Sequence, residues 1–153
     1  MINLYDENNY LIYSGNIIDN KWNGKGKVYH NNGEIAYEGE FKDNLCNGFG
    51  IEYFNNGIKA YEGEFFNNTY EGYGRKYYIN GNLMYEGEFK CGTPNGKGKL
   101  YTTDGILYAD GNFKDGKLHE EVTIFSSNGK IKYHGIYENG IRKNVEFKEC
   151  CNF

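Results

Sequence analysis

The sequence predicts an all-β chain: a single elongated, twisted antiparallel sheet built from six tandem β-hairpin repeats. Three observations lead there. One motif recurs with a constant 24-residue period, each of its first five copies ends in an Asn-Gly or Asp-Gly pair, and 22 glycines recur in step with 16 tyrosines while proline occurs once. A fixed period in this range marks an array whose units pack on their neighbours. At 153 residues, one short array is expected rather than two independent cores.

The repeats start at residues 13, 37, 61, 85, 109 and 133. Tyr37-Glu38-Gly39-Glu40-Phe41, Tyr61-Glu62-Gly63-Glu64-Phe65 and Tyr85-Glu86-Gly87-Glu88-Phe89 match at five consecutive positions, and Tyr13-Ser14-Gly15, Ala109-Asp110-Gly111 and Tyr133-His134-Gly135 stand in register with them. A Gly-x-Gly follows in four copies, at 24/26, 48/50, 72/74 and 96/98, and the fifth has Glu120 and Val122 instead. Three residues beyond come Tyr29, Tyr53, Tyr77, Tyr101 and Phe125, then the turn pairs from Asn32-Gly33 to Asn128-Gly129.

Asn-Gly favours positive φ at both central positions of a two-residue type I′ hairpin loop, so each repeat is expected to supply two strands joined there. In the first strand alternation puts Ile35, Tyr37, Gly39 and Phe41 on one face and Glu38 and Glu40 on the other. A glycine strand offers a flat floor for a neighbouring aromatic ring. In the second strand Gly48 and Gly50 share parity while Tyr53 does not, and a bulge is expected to restore its facing. Residues 1–12 read as an N-terminal half-repeat cap and the degenerate tail 145–153 as the C-terminal cap, and about twelve strands at ~4.8 Å spacing give a ribbon of roughly 50–60 Å.

Composition narrows the function. A net charge of −4 argues against direct nucleic-acid binding through phosphate neutralisation. The N-terminal sequence lacks the basic start and apolar run of a secretory signal, and a cytoplasmic location is expected. Cysteines 46, 91, 150 and 151 and histidines 30, 119 and 134 show no metal-ligand spacing, so neither metal nor cofactor is expected. Gly96-Lys97-Gly98-Lys99 lacks the rest of a phosphate loop and no Gly-x-Ser-x-Gly elbow occurs, so catalysis is not expected.

The unit Tyr-Glu-Gly-Glu-Phe, polar loop, Asn-Gly-x-Gly, aromatic and Asn-Gly turn resembles the MORN repeat, over about residues 13–140. Phe stands where that family more typically has Trp, the period is slightly long, and the fifth and sixth units lose Gly-x-Gly. The cadence is also similar to bacterial MORN-variant repeats, some of which carry an antitoxin label. The resemblance implies an array of hairpins without intrinsic chemistry, serving as a protein-binding scaffold, a dimerisation rod or occasionally a lipid-associated module.

Positions that break the repeat are the candidate sites. Around Gly-x-Gly, Phe49, Ile51 and Tyr73 replace lysines, which suggests a central apolar patch flanked by Lys25, Lys27, Lys97 and Lys99. A second column, expected in hairpin loops, holds Trp22, Cys46, Tyr70, Pro94, Leu118 and Arg142; Trp22 either lines an edge for a partner or folds back over the first hairpin. Glu38, Glu40, Glu62, Glu64, Glu86 and Glu88 form an acidic face, read either as one half of a cross-strand lattice with the lysines or as a stripe that mimics phosphates. The expected partner is another protein, bound by a scaffold or by an inhibitor or antitoxin that occupies a toxin or nucleic-acid-processing enzyme. Open strand edges also allow self-association to a dimer. Anionic-lipid binding would need a denser basic cluster than Arg142-Lys143.

Overall fold

The computed structural model describes residues 1–143; the proposed cap at 145–153, with Cys150 and Cys151, lies outside them. Thirteen strands follow one another: β1 (Ile2–Tyr5), β2 (Leu11–Ile18), β3 (Lys21–Tyr29), β4 (Ile35–Lys42), β5 (Leu45–Tyr53), β6 (Lys59–Phe66) and β7 (Thr69–Tyr77), then β8 (Leu83–Lys90), β9 (Thr93–Tyr101), β10 (Leu107–Lys114), β11 (Lys117–Phe125), β12 (Ile131–Glu138) and β13 (Ile141–Arg142). They form one antiparallel sheet in sequence order. Twelve gaps at ~4.8 Å make it about 58 Å wide across the strands.

A single sheet has no second layer to cover its apolar face, and here aromatic side chains fold down along the strands instead. Tyr37 lies over Gly39 of its own strand and over Gly50, the residue paired with Gly39 on β5. A Cβ on Gly39 would stand 2.5 Å from the Tyr37 hydroxyl and 2.5 Å from the Gly50 Cα. The hydroxyl passes the glycines and donates to the Glu40 carbonyl at 3.1 Å; Tyr61 and Tyr85 do the same to Glu64 and Glu88, and Tyr13 to Asn16. Each ring meets the Phe of its own strand edge-on at 5.1 Å, and the Phe one repeat on at 5.1–5.3 Å, from Tyr37 to Phe113. The result is a continuous zigzag of buried rings, each edge contact contributing on the order of 1 kcal/mol beyond its area. The glycine floor inferred from sequence is therefore present, and its occupant is the tyrosine two residues upstream.

Ala109 replaces that tyrosine in the fifth repeat, and there Val122 occupies the place of the second glycine, paired with Gly111. Ring and glycine are lost together, so the space stays filled; Ala109, Val122 and Ile124 make a small aliphatic core.

The turns differ from expectation. Asn32, Asn56, Asn80, Asp104 and Asn128 keep negative φ; Gly33 (φ 84) follows a turn in which its N–H donates to the His30 carbonyl at 2.9 Å. This is the longer hairpin loop in which one left-handed glycine ends a type I turn. The asparagine is used for its side chain: Asn32 Oδ1 accepts the Glu34 N–H, and its Nδ2 donates to the Asn55 carbonyl of the next repeat at 2.7 Å. Type I′ turns occur at the opposite ends of the hairpins, where both central residues have positive φ, as in Asp43 (50) and Asn44 (72) or Cys91 (50) and Gly92 (81). Those turns dock backwards, Asn44 N–H donating to the Trp22 carbonyl at 3.0 Å and Asn68 N–H to that of Cys46 at 3.0 Å.

The second strands do contain a bulge. Gly39 pairs with Gly50 but Phe41 pairs with Cys46, so β5 carries two extra residues around Gly48 (φ 99). It does not bring Tyr53 to the packed face: Tyr53 stays on the Glu38 side and donates to Glu38 Oε1 at 2.6 Å.

Gly39→Ala should destabilise the fold by about 1–3 kcal/mol because its methyl meets backbone and ring at once. Gly33→Ala, which meets nothing within 4 Å, should cost about 1 kcal/mol for its φ alone. Cys91→Asn, matching the turn's preference, should stabilise by roughly 0.5 kcal/mol. Urea denaturation of the three variants checks the order.

Candidate functional site

The two faces of the sheet have different chemistry. On the packed face, the column expected in loops stands instead at the starts of the second strands and lies on the tyrosines. Trp22 stacks on Tyr13 with centroids 4.3 Å apart and planes 2° from parallel, and Tyr70 stacks on Tyr61 at 3.8 Å. Cys46 sits by Tyr37, where burial pushes its thiol up to about 11. Arg142 covers the Tyr133 ring at 3.6 Å. Trp22 and Tyr70 are thus half-buried core residues, and Trp22 folds back over the first hairpin. Tyr70 also donates to Glu52, a carboxylate of the packed face standing where other repeats have Val28, Lys76, Leu100 and Ile124.

The opposite face carries the acidic residues. One row crosses it through cross-strand pairs, Lys27–Glu38, Glu38–Ile51, Ile51–Glu62, Glu62–Arg75, Arg75–Glu86 and Glu86–Lys99. Here the lattice reading holds for part of the set. Lys27 pairs with Glu38 at 3.0 Å, and Arg75 reaches Glu62 at 3.6 Å and Glu86 at 3.4 Å. Lys59, which the sequence pattern did not single out, pairs with Glu62 at 2.8 Å. Tyr53, Tyr77 and Tyr101 donate to Glu38, Glu62 and Glu86 at 2.6, 2.5 and 2.8 Å. The Tyr53 hydrogen bond, then Lys27, lowers the Glu38 pKa; the Lys59 bond, then Tyr77, lowers that of Glu62. Burial first, then the bond to Glu38, raises Tyr53 to about 12.

The second row, nearer the bulges, pairs Lys25 with Glu40, Phe49 with Glu64 and Tyr73 with Glu88 in register. Among the described residues, Glu40, Glu64 and Glu88 form no ion pair, and neither do Lys25 and Lys97 or, at the end of the first row, Lys99, so the expected lattice covers only the part of the first row from Lys27 to Glu86. The three carboxylates instead lie against the bulge glycines Gly48, Gly72 and Gly96, and Glu88 accepts the Lys97 N–H at 3.2 Å. Phe49 and Tyr73 are 56% and 54% exposed. They stand on alternate strands with Glu64 between, about 9.6 Å apart, so the expected contiguous apolar patch is an alternation of aromatics and carboxylates. At its N-terminal side Phe49 and half-buried Ile51 wall a groove of about 590 Å³ with Lys25, Lys27 and Tyr29. Among the described residues, no group of three or more His, Cys, Asp or Glu is placed to hold a metal ion.

A one-layer sheet of hairpins, each locked only to its sequence neighbours and offering one broad polar face, defines a repeat scaffold. The chain belongs to the MORN repeat family: that family's pattern matches residues 13–35, 37–59, 61–83 and 85–106. No curated protein matches the chain in sequence. The fifth and sixth hairpins fall outside the matched residues and continue the same sheet.

Folding stability should be flat through neutral pH and fall on both sides. The lowered carboxyls of Glu38 and Glu62 stabilise above their ordinary value of 4.5, a contribution lost as pH falls through their folded values. The raised Tyr53 contributes fully below 10.0 and loses that contribution as pH rises towards about 12. Tyr53→Phe/Tyr77→Phe should flatten the acid limb, as read from urea midpoints against pH.

Proposed function

We propose that the chain is a non-enzymatic scaffold that binds a partner protein through the charged face of its sheet. The observation that carries this reading is the exposure of Phe49 and Tyr73 at positions where the flanking repeats hold Lys25 and Lys97. The array needs no aromatic there, since lysine serves in the same register on either side. Exposed aromatic anchors on a rigid surface, bordered by charge, are how binding energy is usually concentrated. The packed face is spent on the sheet's own core, which leaves the charged face and the strand edges for contact.

Affinity capture from host extract by the wild-type chain and by Phe49→Ser/Tyr73→Ser tests this. Retention of one stoichiometric partner that the variant loses supports the reading, and the partner's identity then separates assembly from inhibition of an enzyme. Equal retention by both, or binding only to anionic vesicles, contradicts it. Both side chains are exposed, so the variant should melt within ~1 kcal/mol of the wild type.

A further inference from the structure

We propose, building on that reading of the charged face, that its partner is a basic segment in polyproline II conformation, carrying Lys or Arg at every third residue. The second row supplies the template. Glu40, Glu64 and Glu88 stand on β4, β6 and β8, one repeat apart, so their columns are spaced by two strands or about 9.6 Å. A polyproline II chain rises ~3.1 Å per residue with three residues per turn, which puts side chains i, i+3 and i+6 on one edge at about 9.3 Å intervals. A β-strand does not fit, because its residues i and i+3 point to opposite faces.

The charge balance of the face selects a cation. Glu38, Glu62 and Glu86 are already answered by Lys27, Lys59 and Arg75, whereas Glu40, Glu64 and Glu88 have no cationic partner among the described residues. Their contact with the bulge does not exhaust them, since a carboxylate has about four acceptor sites and Glu88 uses one on the Lys97 N–H. Phe49 and Tyr73 fill the gaps between the carboxylates, and their exposed rings give the segment's intervening residues an apolar bed and its cations a π face. The row ends in like charge, at Lys25 on β3 and Lys97 on β9, which limits the segment to the span from β4 to β8. Polyproline II has no internal hydrogen bonds and is already populated in free Pro-rich chains, so little ordering opposes its binding.

The test uses the whole chain and two fluorescent peptides of equal composition, three Lys-Pro-Pro units in one and three adjacent lysines followed by six prolines in the other. Anisotropy titration should find the spaced peptide bound at least tenfold more tightly, with affinity falling between about 50 mM and 500 mM salt. Phe49→Ser/Tyr73→Ser should weaken it roughly tenfold, Glu64→Gln about threefold, and Lys25→Ala should not weaken it. Equal affinity for both peptides reduces the site to net charge and overturns the proposal, as does binding to neither or indifference to both sets of substitutions. Should the peptides fail while affinity capture still yields a partner lost in Phe49→Ser/Tyr73→Ser, the scaffold reading stands and only this partner chemistry falls.

Discussion

A tyrosine ring lying flat on two glycines solves the difficulty that a one-layer sheet faces, namely an apolar side with nothing to pack against. With no Cβ on Gly39 or Gly50, the Tyr37 ring drops to the backbone and covers both strands, and its hydroxyl still finds the Glu40 carbonyl beyond them. Burial raises the hydroxyl pKa, and the hydrogen bond removes the cost of an unpaired polar group. Because the Tyr37, Tyr61 and Tyr85 rings also touch the phenylalanine of the next repeat, the hairpins from Tyr13 to Phe113 share one continuous core, and a smaller aliphatic one follows at Ala109, Val122 and Ile124. The fifth repeat shows the dependence from the other side: without the tyrosine at Ala109, a glycine opposite would leave a void, and Val122 closes it.

Much of this was legible in the amino-acid sequence. The period, two strands per unit and the partnership of Gly39 with an aromatic follow from spacing and sterics alone. The turns were harder, because Asn-Gly fits two loop types and only geometry shows that Asn32 bridges to Asn55 through its side chain. Asp43-Asn44 and Asn67-Asn68 carried the type I′ signal in their composition, hidden by the more familiar Asn-Gly pairs. The facing of Tyr53 was misjudged because an aromatic was assumed to seek the core; a phenol can equally serve a glutamate on the solvent side.

The candidate residues divided along the same line. Trp22 and Tyr70 looked like loop aromatics, yet their column exists to cover the ring beneath, and side chains as different as Trp22, Cys46 and Arg142 occupy it. Phe49 and Tyr73, one bulge away on the other face, are exposed. Sequence could name both sets as departures from the repeat, but the two extra residues around Gly48 set register, and with it which set faces the core. These departures are what the array's own strand pairing and ring packing do not require, since lysine stands at both flanking positions, Lys25 and Lys97.

Hydrogen exchange of the intact chain tests the central claim most directly, that the covered glycine pairs hold the sheet together. The account predicts the slowest amides in the strand segments beneath the rings, at residues 37–39, 61–63 and 85–87, with weaker protection in the strands that lie outside the continuous ring core. Slowest exchange at the type I′ turns or along the ion-paired row, with residues 61–63 exchanging early, would contradict it.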